Sequence, residues 1–249
     1  MGFSDSHCHL NGYRPESLAE VLTQARAKGI DNIISVGVNL EASAEVIDIA
    51  RSHEGVRAGV GIHPWDAVMP SAEMRRNLYE LASKEPVVVI GEIGLDYARN
   101  PETKEVQKEL LVYQLSLARE TGLPVSVHCR EAHRDIMSIL RKEIGSDIKG
   151  TIHGFVGDSA MLRDWLELDF YVSIGLRSFV INEVPALLTA VPEIPLDRLL
   201  TETDAAGGGD VTGPVDVLSV VEKLASLRGA DAGEIADAAT ANLKLLFRL

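Results

Sequence analysis

Six residues whose side chains bind metal ions stand close to the ends of short apolar stretches. They are His7, His9, Glu92, His128, His153 and Asp204. Four imidazoles and two carboxylates are enough donors for one or two divalent cations. Imidazole favours zinc and related transition metals, whereas carboxylate also suits magnesium or manganese, so the donor set leaves these three metals open.

Five of these residues also have a purely structural interpretation. His7 and His9 share one face of a strand because alternate side chains point the same way, but a His-x-His pair alone is only moderately specific. Glu92 is costly to bury without a cation, and a buried ion pair with an arginine is its alternative. His128 and His153 are alternatively hydrogen-bonded core histidines. We favour the metal site because six such residues in equivalent places are an improbable coincidence.

A cation held by these groups lowers the pKa of bound water towards about 7 and polarises the bond that is cut. We predict Asp204 and Glu92 as the catalytic residues, with Asp204 orienting the water and accepting its proton and Glu92 bridging two ions. Two ions about 3.5–4 Å apart also stabilise the attacking and leaving oxygens of a phosphate ester. The predicted chemistry is therefore hydrolysis.

Two further residues are predicted to contact substrate. His63, in Gly61-Ile62-His63-Pro64, ends the third apolar stretch and is alternatively a structural turn histidine before proline. Arg130 lies two residues after a predicted ligand, and it either holds a phosphate or pairs with Glu131 or Asp135.

The elements that must position these side chains are short strands alternating with amphipathic helices. Eight strands are predicted, at Phe3–His7, Asn32–Gly37, Val56–Ile62, Pro86–Gly91, Leu123–His128, Lys149–His153, Phe170–Ile174 and Arg198–Thr203. Between them apolar residues recur at helical spacing, as at Leu18, Leu22 and Ala25 ahead of Gly29.

Such an alternation forms either a closed barrel or an open doubly wound sheet. The predicted ligands follow strands 1, 4, 5, 6 and 8, and only a closed barrel brings strand 8 beside strand 1. We therefore predict an α/β fold, a (β/α)8 TIM-type barrel that forms a single domain over residues 1–249. One additional C-terminal helix is predicted over Glu234–Arg248, packing across the outside of the barrel.

The overall composition narrows the classes of protein. A net charge of −13 provides no broad basic surface for non-specific nucleic-acid binding. No apolar run approaches the roughly 20 residues that span a bilayer, and the few residues before His7 leave no room for a signal peptide. Only Cys8 and Cys129 are present, which suits a reducing compartment. We expect a cytoplasmic protein with no membrane attachment and no obligate protein partner.

The chain resembles the TatD-like deoxyribonuclease family, a branch of the metal-dependent amidohydrolase-like barrels. The matching motifs span nearly the whole chain and are Asp5-Ser6-His7-Cys8-His9-Leu10, Gly61-Ile62-His63-Pro64, Gly91-Glu92-Ile93-Gly94-Leu95-Asp96-Tyr97, Pro124-Val125-Ser126-Val127-His128-Cys129-Arg130-Glu131-Ala132, His153-Gly154-Phe155 and Glu202-Thr203-Asp204-Ala205. The resemblance implies a TIM-type barrel, one or two divalent metals and hydrolysis of phosphodiester bonds in DNA, often from a 3′ end. It also implies that the six residues above are metal ligands, that Glu92 is shared and that His63 lies on the substrate side.

The chain departs from the family pattern after Asp204. Relatives usually have a proline soon after this aspartate and an Asn-x-Pro segment before the last barrel helix, whereas this chain has Ala206, Gly207-Gly208-Gly209 and Gly213-Pro214. The stretch Ala205–Gly213 is either a flexible connection or the last loop over the barrel mouth.

Three functions follow from these observations. The main hypothesis is a metal-dependent nuclease that acts on single strands or frayed ends of DNA. The second keeps the barrel and the activated water but cuts an ester or amide, such as the D-aminoacyl link of mischarged tRNA, as some TatD-like relatives do. The third is a non-catalytic metal-binding protein, which has no need for so complete a ligand set.

Overall fold

The computed structural model describes residues 2–145, 148–179, 184–205 and 213–249. Eight parallel strands form one sheet in sequential order. They are β1 Phe3–Cys8, β2 Ile30–Val36, β3 Val56–Val60, β4 Val87–Asp96, β5 Val125–Arg130, β6 Gly150–Ile152, β7 Tyr171–Ile174 and β8 Leu199–Thr201. Each predicted strand overlaps one of these, so the predicted (β/α)8 barrel is confirmed.

Helices alternate with the strands, as the apolar spacing predicted. The described helices are α1 Pro15–Ala27, α2 Leu40–Ser52, α3 Ala72–Ala82, α4 Lys104–Thr121, α5 His133–Glu143, α6 Ser159–Glu167, α7 Val184–Ala190, α8 Val217–Arg228 and α9 Ala232–Phe247. Most of the predicted lid or connection over Ala205–Gly213 lies outside the described residues. Within the described ranges, no helix is both long and apolar enough to cross a bilayer.

The two edges of the sheet, β1 and β8, are joined mainly by contacts just beyond β8. The Asp204 amide donates to the carbonyl of His7 at 2.9 Å, and the His9 amide donates to the carbonyl of Ala205 at 2.7 Å. The fully buried Asp5 accepts bonds from the Thr203 hydroxyl and amide at 2.5 and 3.0 Å. The sheet therefore forms a nearly closed barrel in which the residues after β8 lie against the end of β1.

Strand β4 is longer than predicted. The sequence pattern ended it at Gly91, whereas it continues to Asp96 because its second half pairs with β5. Gly94 permits this pairing, since its φ is 144° and a Cβ there would lie 1.9 Å from the His128 carbonyl oxygen. Glu92 consequently lies inside a strand rather than after one.

The C-terminal helix α9 covers the amino-terminal ends of the strands. The Asn242 side chain donates to the carbonyls of Leu196 and Leu199 at the start of β8, and the Thr240 hydroxyl donates to the carbonyl of Gly2 before β1. Its apolar face forms one buried cluster with side chains from four strands, the members being Leu243, Leu246, Phe247, Ile34, Val36, Val89, Tyr171 and Leu200. The predicted extra helix is thus present, but it closes one end of the barrel instead of lying along its outer wall.

Candidate metal centre

The six residues singled out as metal ligands meet at the carboxyl ends of the strands. His7 is in β1 and His9 follows it, Glu92 and His128 are in β4 and β5, His153 follows β6 directly, and Asp204 follows β8. Convergence at this end follows from the parallel barrel, in which all strands point the same way.

Glu92 is the centre of the cluster. Its Oε2 lies 3.3 Å from His7 Nε2 and 3.6 Å from His9 Nε2. Its Oε1 lies 2.8 Å from His128 Nδ1 and 3.5 Å from His153 Nε2. One buried carboxylate therefore faces all four predicted histidine ligands, two through each oxygen.

Asp204 extends the cluster on one side. Its Oδ1 lies 3.3 Å from His9 Nε2 and its Oδ2 lies 3.0 Å from an Arg177 nitrogen. The αL backbone of Asp204, with φ 54°, is a conformation that aspartate tolerates better than most residues. Asp204 thus approaches the imidazoles with one oxygen and a guanidinium with the other.

Three overlapping triplets have donor atoms that all lie within 4.8 Å of one another. They are His7, His9 and Asp204; His7, Glu92 and His153; and His63, Glu92 and His128. Glu92 and His7 each belong to two triplets, and a carboxylate such as Glu92 has two oxygens with which to serve two ions.

The histidine rings are oriented by groups outside the cluster. His9 Nδ1 bonds the carbonyl of Val36 at 2.7 Å, which leaves Nε2 facing the carboxylates. His128 Nε2 lies 3.1 Å from Asp96 Oδ2, and His153 Nδ1 lies 2.8 Å from Glu202 Oε1. In each ring the other nitrogen faces Glu92. Metal-binding imidazoles in proteins are commonly oriented in this way, by a carboxylate or carbonyl on the nitrogen that does not bind the metal.

The cluster fits a divalent cation. Among the described residues, His7 Nε2 is buried without a hydrogen-bond partner although it faces Glu92. Buried polar atoms are rarely left without partners, and nitrogen and oxygen donors of this kind are ligands for zinc, magnesium or manganese. A cation among these atoms would satisfy the orphaned nitrogen.

The pKa values show how strongly these groups interact. Burial alone would raise the pKa of Glu92, but the imidazoles of His63, His153 and His128 outweigh it and hold that pKa well below its usual range. Burial lowers the pKa of His153, yet the charges of Glu202 and Glu92 prevail and raise it to about 10. Without metal, His153 therefore carries positive charge beside Glu92 at neutral pH, and a cation that binds its ring must displace that proton.

His63 lies closer to the cluster than the sequence indicated. Its Nε2 is 3.3 Å from Glu92 Oε1, and its Nδ1 accepts a hydrogen bond from the Trp65 amide at 3.1 Å. Because Nδ1 accepts, the neutral ring carries its proton on Nε2. The buried Gln114 amide bonds both the N–H and the carbonyl of Ile62 and so fixes the backbone in front of His63.

Asp96 and Glu202 support the cluster, although sequence reasoning gave them no role. Asp96 is fully buried, and its Oδ2 accepts from the Trp65 indole at 2.7 Å besides facing His128. Glu202 Oε1 also accepts from the Gly154 amide at 2.8 Å. For Asp96 the available signal was strand alternation, because it lies four residues after Glu92 in β4. Glu202 directly follows β8, as a carboxylate at the end of an apolar stretch.

Two arginines lie beside the cluster. Arg130 is exposed and, among the described residues, forms no ion pair, whereas Asp135 pairs with Lys108 at 2.8 Å. The predicted pairing of Arg130 with Glu131 or Asp135 is therefore not formed. Arg177, which sequence reasoning missed, contacts Asp204. Both arginines line a cavity of about 210 Å³ that also includes His128, His153 and Asp204.

An adjoining cavity of about 340 Å³ opens the centre to solvent. Its lining includes Glu92, His63, Asp204, Trp65 and Arg177. The centre is therefore accessible from the barrel mouth, on the side away from α9.

A nearly closed parallel barrel with imidazoles and carboxylates gathered at its mouth is the architecture of metal-dependent hydrolases. The family model described as TatD related DNase matches residues 4–248, and the chain belongs to the TatD family. It is 34% identical over 252 residues to the "uncharacterized metal-dependent hydrolase YabD" of Bacillus subtilis, covering 98% of both chains.

Other relatives carry a more specific name. The chain is 32% identical over 240 residues to the "3'-5' ssDNA/RNA exonuclease TatD" of Shigella flexneri, covering 92% of each chain. The crystal structure of YjjV, a TatD homologue from Escherichia coli, superposes with a TM-score of 0.88 at 29% identity, covering 99% of this chain and 98% of that one. The chain is thus a metal-dependent hydrolase of the TatD family, as its motifs predicted.

Proposed function

We propose that this protein is a deoxyribonuclease that hydrolyses phosphodiester bonds of single-stranded DNA or frayed ends, releasing nucleotides from the 3′ end. One observation carries the proposal: four imidazoles and two carboxylates, those of Glu92 and Asp204, converge beside an open cavity whose lining includes both carboxylates. The exonuclease names of relatives at 32% identity and above support the choice of bond and substrate.

In this proposal, His7, His9, Glu92, His128, His153 and Asp204 hold one or two divalent cations, with zinc, magnesium and manganese as the candidates. When bound, such a cation supplies positive charge that polarises the phosphodiester and makes water more acidic. Glu92 would be the shared ligand, because Oε2 faces His7 and His9 whereas Oε1 faces His128, His153 and also His63.

Asp204 orients the attacking water. Burial opposes its ionisation, but His9 and the other nearby imidazoles hold the pKa of Asp204 below its usual range, so the side chain is an anion at neutral pH. An ionised carboxylate only accepts hydrogen bonds, and Arg177 already engages Oδ2. Oδ1, which faces the cluster, is then the oxygen that accepts a hydrogen of the water. It takes that proton as the water oxygen bonds to phosphorus and the bond from phosphorus to the leaving oxygen breaks, and the proton then passes to the leaving oxygen.

Three side chains contact the substrate phosphate and the leaving oxygen. Arg130 and Arg177 border the same cavity, where guanidinium groups pair with phosphate oxygens. His63 presents an N–H from Nε2 towards Glu92 and is placed to donate it to an oxygen of the scissile phosphate. The phosphate is thus held locally, which suits a chain of net charge −13.

The test is nucleotide release from single-stranded DNA by protein that is first treated with chelator and then supplied with zinc, magnesium or manganese. We expect no release without metal, restoration by at least one of the three, and protection of strands whose 3′-terminal linkage is a phosphorothioate but not of strands modified at the 5′ end. Metal-loaded protein that cleaves no nucleic acid would overturn the proposal. If the protein hydrolyses D-aminoacyl-tRNA and not DNA, its function is ester hydrolysis instead of DNA cleavage.

A further inference from the structure

Trp65 is an exposed aromatic side chain at the mouth of the barrel. It is 40% exposed and lines both cavities beside the cluster. Its ring centroid lies 4.6 Å from that of His63 and 6.4 Å from that of His128. The flat indole ring of Trp65 therefore lies close enough to the proposed phosphate-binding residues for a base of the same nucleotide or its neighbour to contact it.

Trp65 is held in place by three polar contacts, two of its backbone and one of its indole. Its amide donates to His63 Nδ1 at 3.1 Å, its carbonyl accepts from the Asn100 side chain at 3.1 Å, and its indole Nε1 donates to Asp96 Oδ2 at 2.7 Å. Asp96 is itself fixed by the amides of Ala98 and Arg99. An exposed ring that is already oriented loses little entropy when a ligand packs against it.

Arg99 adds a second planar group. Its guanidinium carbon lies 3.9 Å from the centroid of the Trp65 ring. Guanidinium and indole planes both stack on nucleobases, and the guanidinium also attracts phosphate.

We propose, on the basis of the nuclease function above, that Trp65 and Arg99 form a stacking platform for a base of the strand being cleaved. With a net charge of −13, the protein gains little from long-range attraction to DNA, so a contact that does not depend on surface charge is needed to retain the strand. Base–aromatic stacking meets this need and tolerates any sequence because every base has a π face. The platform therefore favours single strands, whose bases are unpaired.

The first experiment compares KM on single-stranded DNA with KM on the same strand carrying abasic residues at its last four 3′ positions. Trp65→Ala should raise KM on the normal strand about 10-fold or more, which is the size expected for one lost stacking contact, and change kcat much less. For the wild-type protein, KM on the abasic strand should exceed KM on the normal strand by a similar factor. Trp65→Ala should not change KM on the abasic strand further. Tyr79→Ala removes another exposed aromatic ring, on α3, and should leave both constants unchanged.

A second variant separates stacking from support of Asp96. Trp65→Phe keeps an aromatic face but loses the indole N–H that bonds Asp96. We expect Trp65→Phe to retain most of the affinity for the normal strand. Two results would refute the platform. One is an equal rise in KM for Trp65→Phe and Trp65→Ala; the other is a KM for Trp65→Ala on the abasic strand that equals the product of the two separate increases.

Fluorescence measures binding without cleavage. The chain has two tryptophans, and Trp165 is 1% exposed, so quenching by added strands reports on Trp65. In chelator-treated protein, oligothymidylate should quench the emission saturably and its abasic counterpart at least 10-fold more weakly; equal quenching by both would refute the platform. Failure of the wild-type protein to release nucleotides with any metal rejects the nuclease function, whereas release with an unchanged KM in Trp65→Ala rejects only the stacking.

Discussion

The two ends of this barrel are built on opposite principles. At the amino-terminal end α9 packs Leu243, Leu246 and Phe247 into one apolar cluster, and its polar side chains Thr240 and Asn242 reach backbone carbonyls. At the carboxyl end, His7 Nε2 and Glu202 Oε2 are buried and have no hydrogen-bond partner in the described part of the chain. Unsatisfied polar groups are costly, so one end is arranged for stability and the other for a ligand.

The same comparison explains the distribution of charge. Imidazoles and carboxylates at the mouth shift one another's pKa values, as for Glu92 and His153. Perturbed ionisable groups in an accessible cavity are typical of functional sites. Substitutions at the mouth should therefore change chemistry or metal affinity, and substitutions at the closed end should change stability.

The largest effect is expected for Asp204→Asn at the mouth. The amide keeps the shape of the side chain but cannot take a proton, so kcat for nucleotide release should fall about 10²- to 10⁴-fold. Steady-state kinetics and a thermal melt of the same preparation check this. Asp135→Asn, a surface carboxylate paired with Lys108, is the matched control, and a kcat for Asp204→Asn within threefold of the control would contradict the assignment.

Phe247→Ala should give the largest effect at the closed end. Removing a buried phenyl ring leaves a cavity and should lower the free energy of unfolding by about 3–5 kcal/mol. Urea denaturation measures this loss. At a temperature where the variant is folded, kcat should equal that of the wild-type protein; a fall in kcat comparable to that of Asp204→Asn would mean that the two ends are not separable.

Asp96→Asn tests the support behind the candidate metal ligands. Loss of the carboxylate that faces His128 should weaken zinc or manganese binding about 10- to 100-fold, the usual cost of disturbing a group that orients a metal-binding histidine. Isothermal titration of chelator-treated protein gives the dissociation constant. Asp135→Asn should bind the metal as tightly as the wild-type protein does. Identical dissociation constants for the wild-type protein, Asp96→Asn and Asp135→Asn would rule out this role for Asp96.

Asn242→Ala should have the smallest effect. Its side chain makes two hydrogen bonds to backbone carbonyls under β8, so their loss should lower the free energy of unfolding by about 1–3 kcal/mol. Urea denaturation again provides the measurement, and metal affinity should not change. A weakened metal site in this variant would show that α9 transmits strain to the mouth.

Much of the fold could be predicted from local sequence because strand and helix periods are local properties. Apolar runs located all eight strands, and glycines such as Gly29 marked helix ends. The extension of β4 was missed because it depends on pairing with β5, about 35 residues away along the chain, which no local pattern reports. The position of α9 was also missed, since an apolar helix face does not reveal which surface it covers.

For the site, the sequence by itself determined the donors and their common location. His7 and His9 share a face through strand alternation, and a parallel barrel directs the ends of its strands to one mouth. Only the tertiary structure decided their partners: Asp96 behind His128, Glu202 behind His153 and Arg177 beside Asp204. These contacts join residues from different strands and loops, and their distances depend on barrel closure and helix packing rather than on neighbours in the chain.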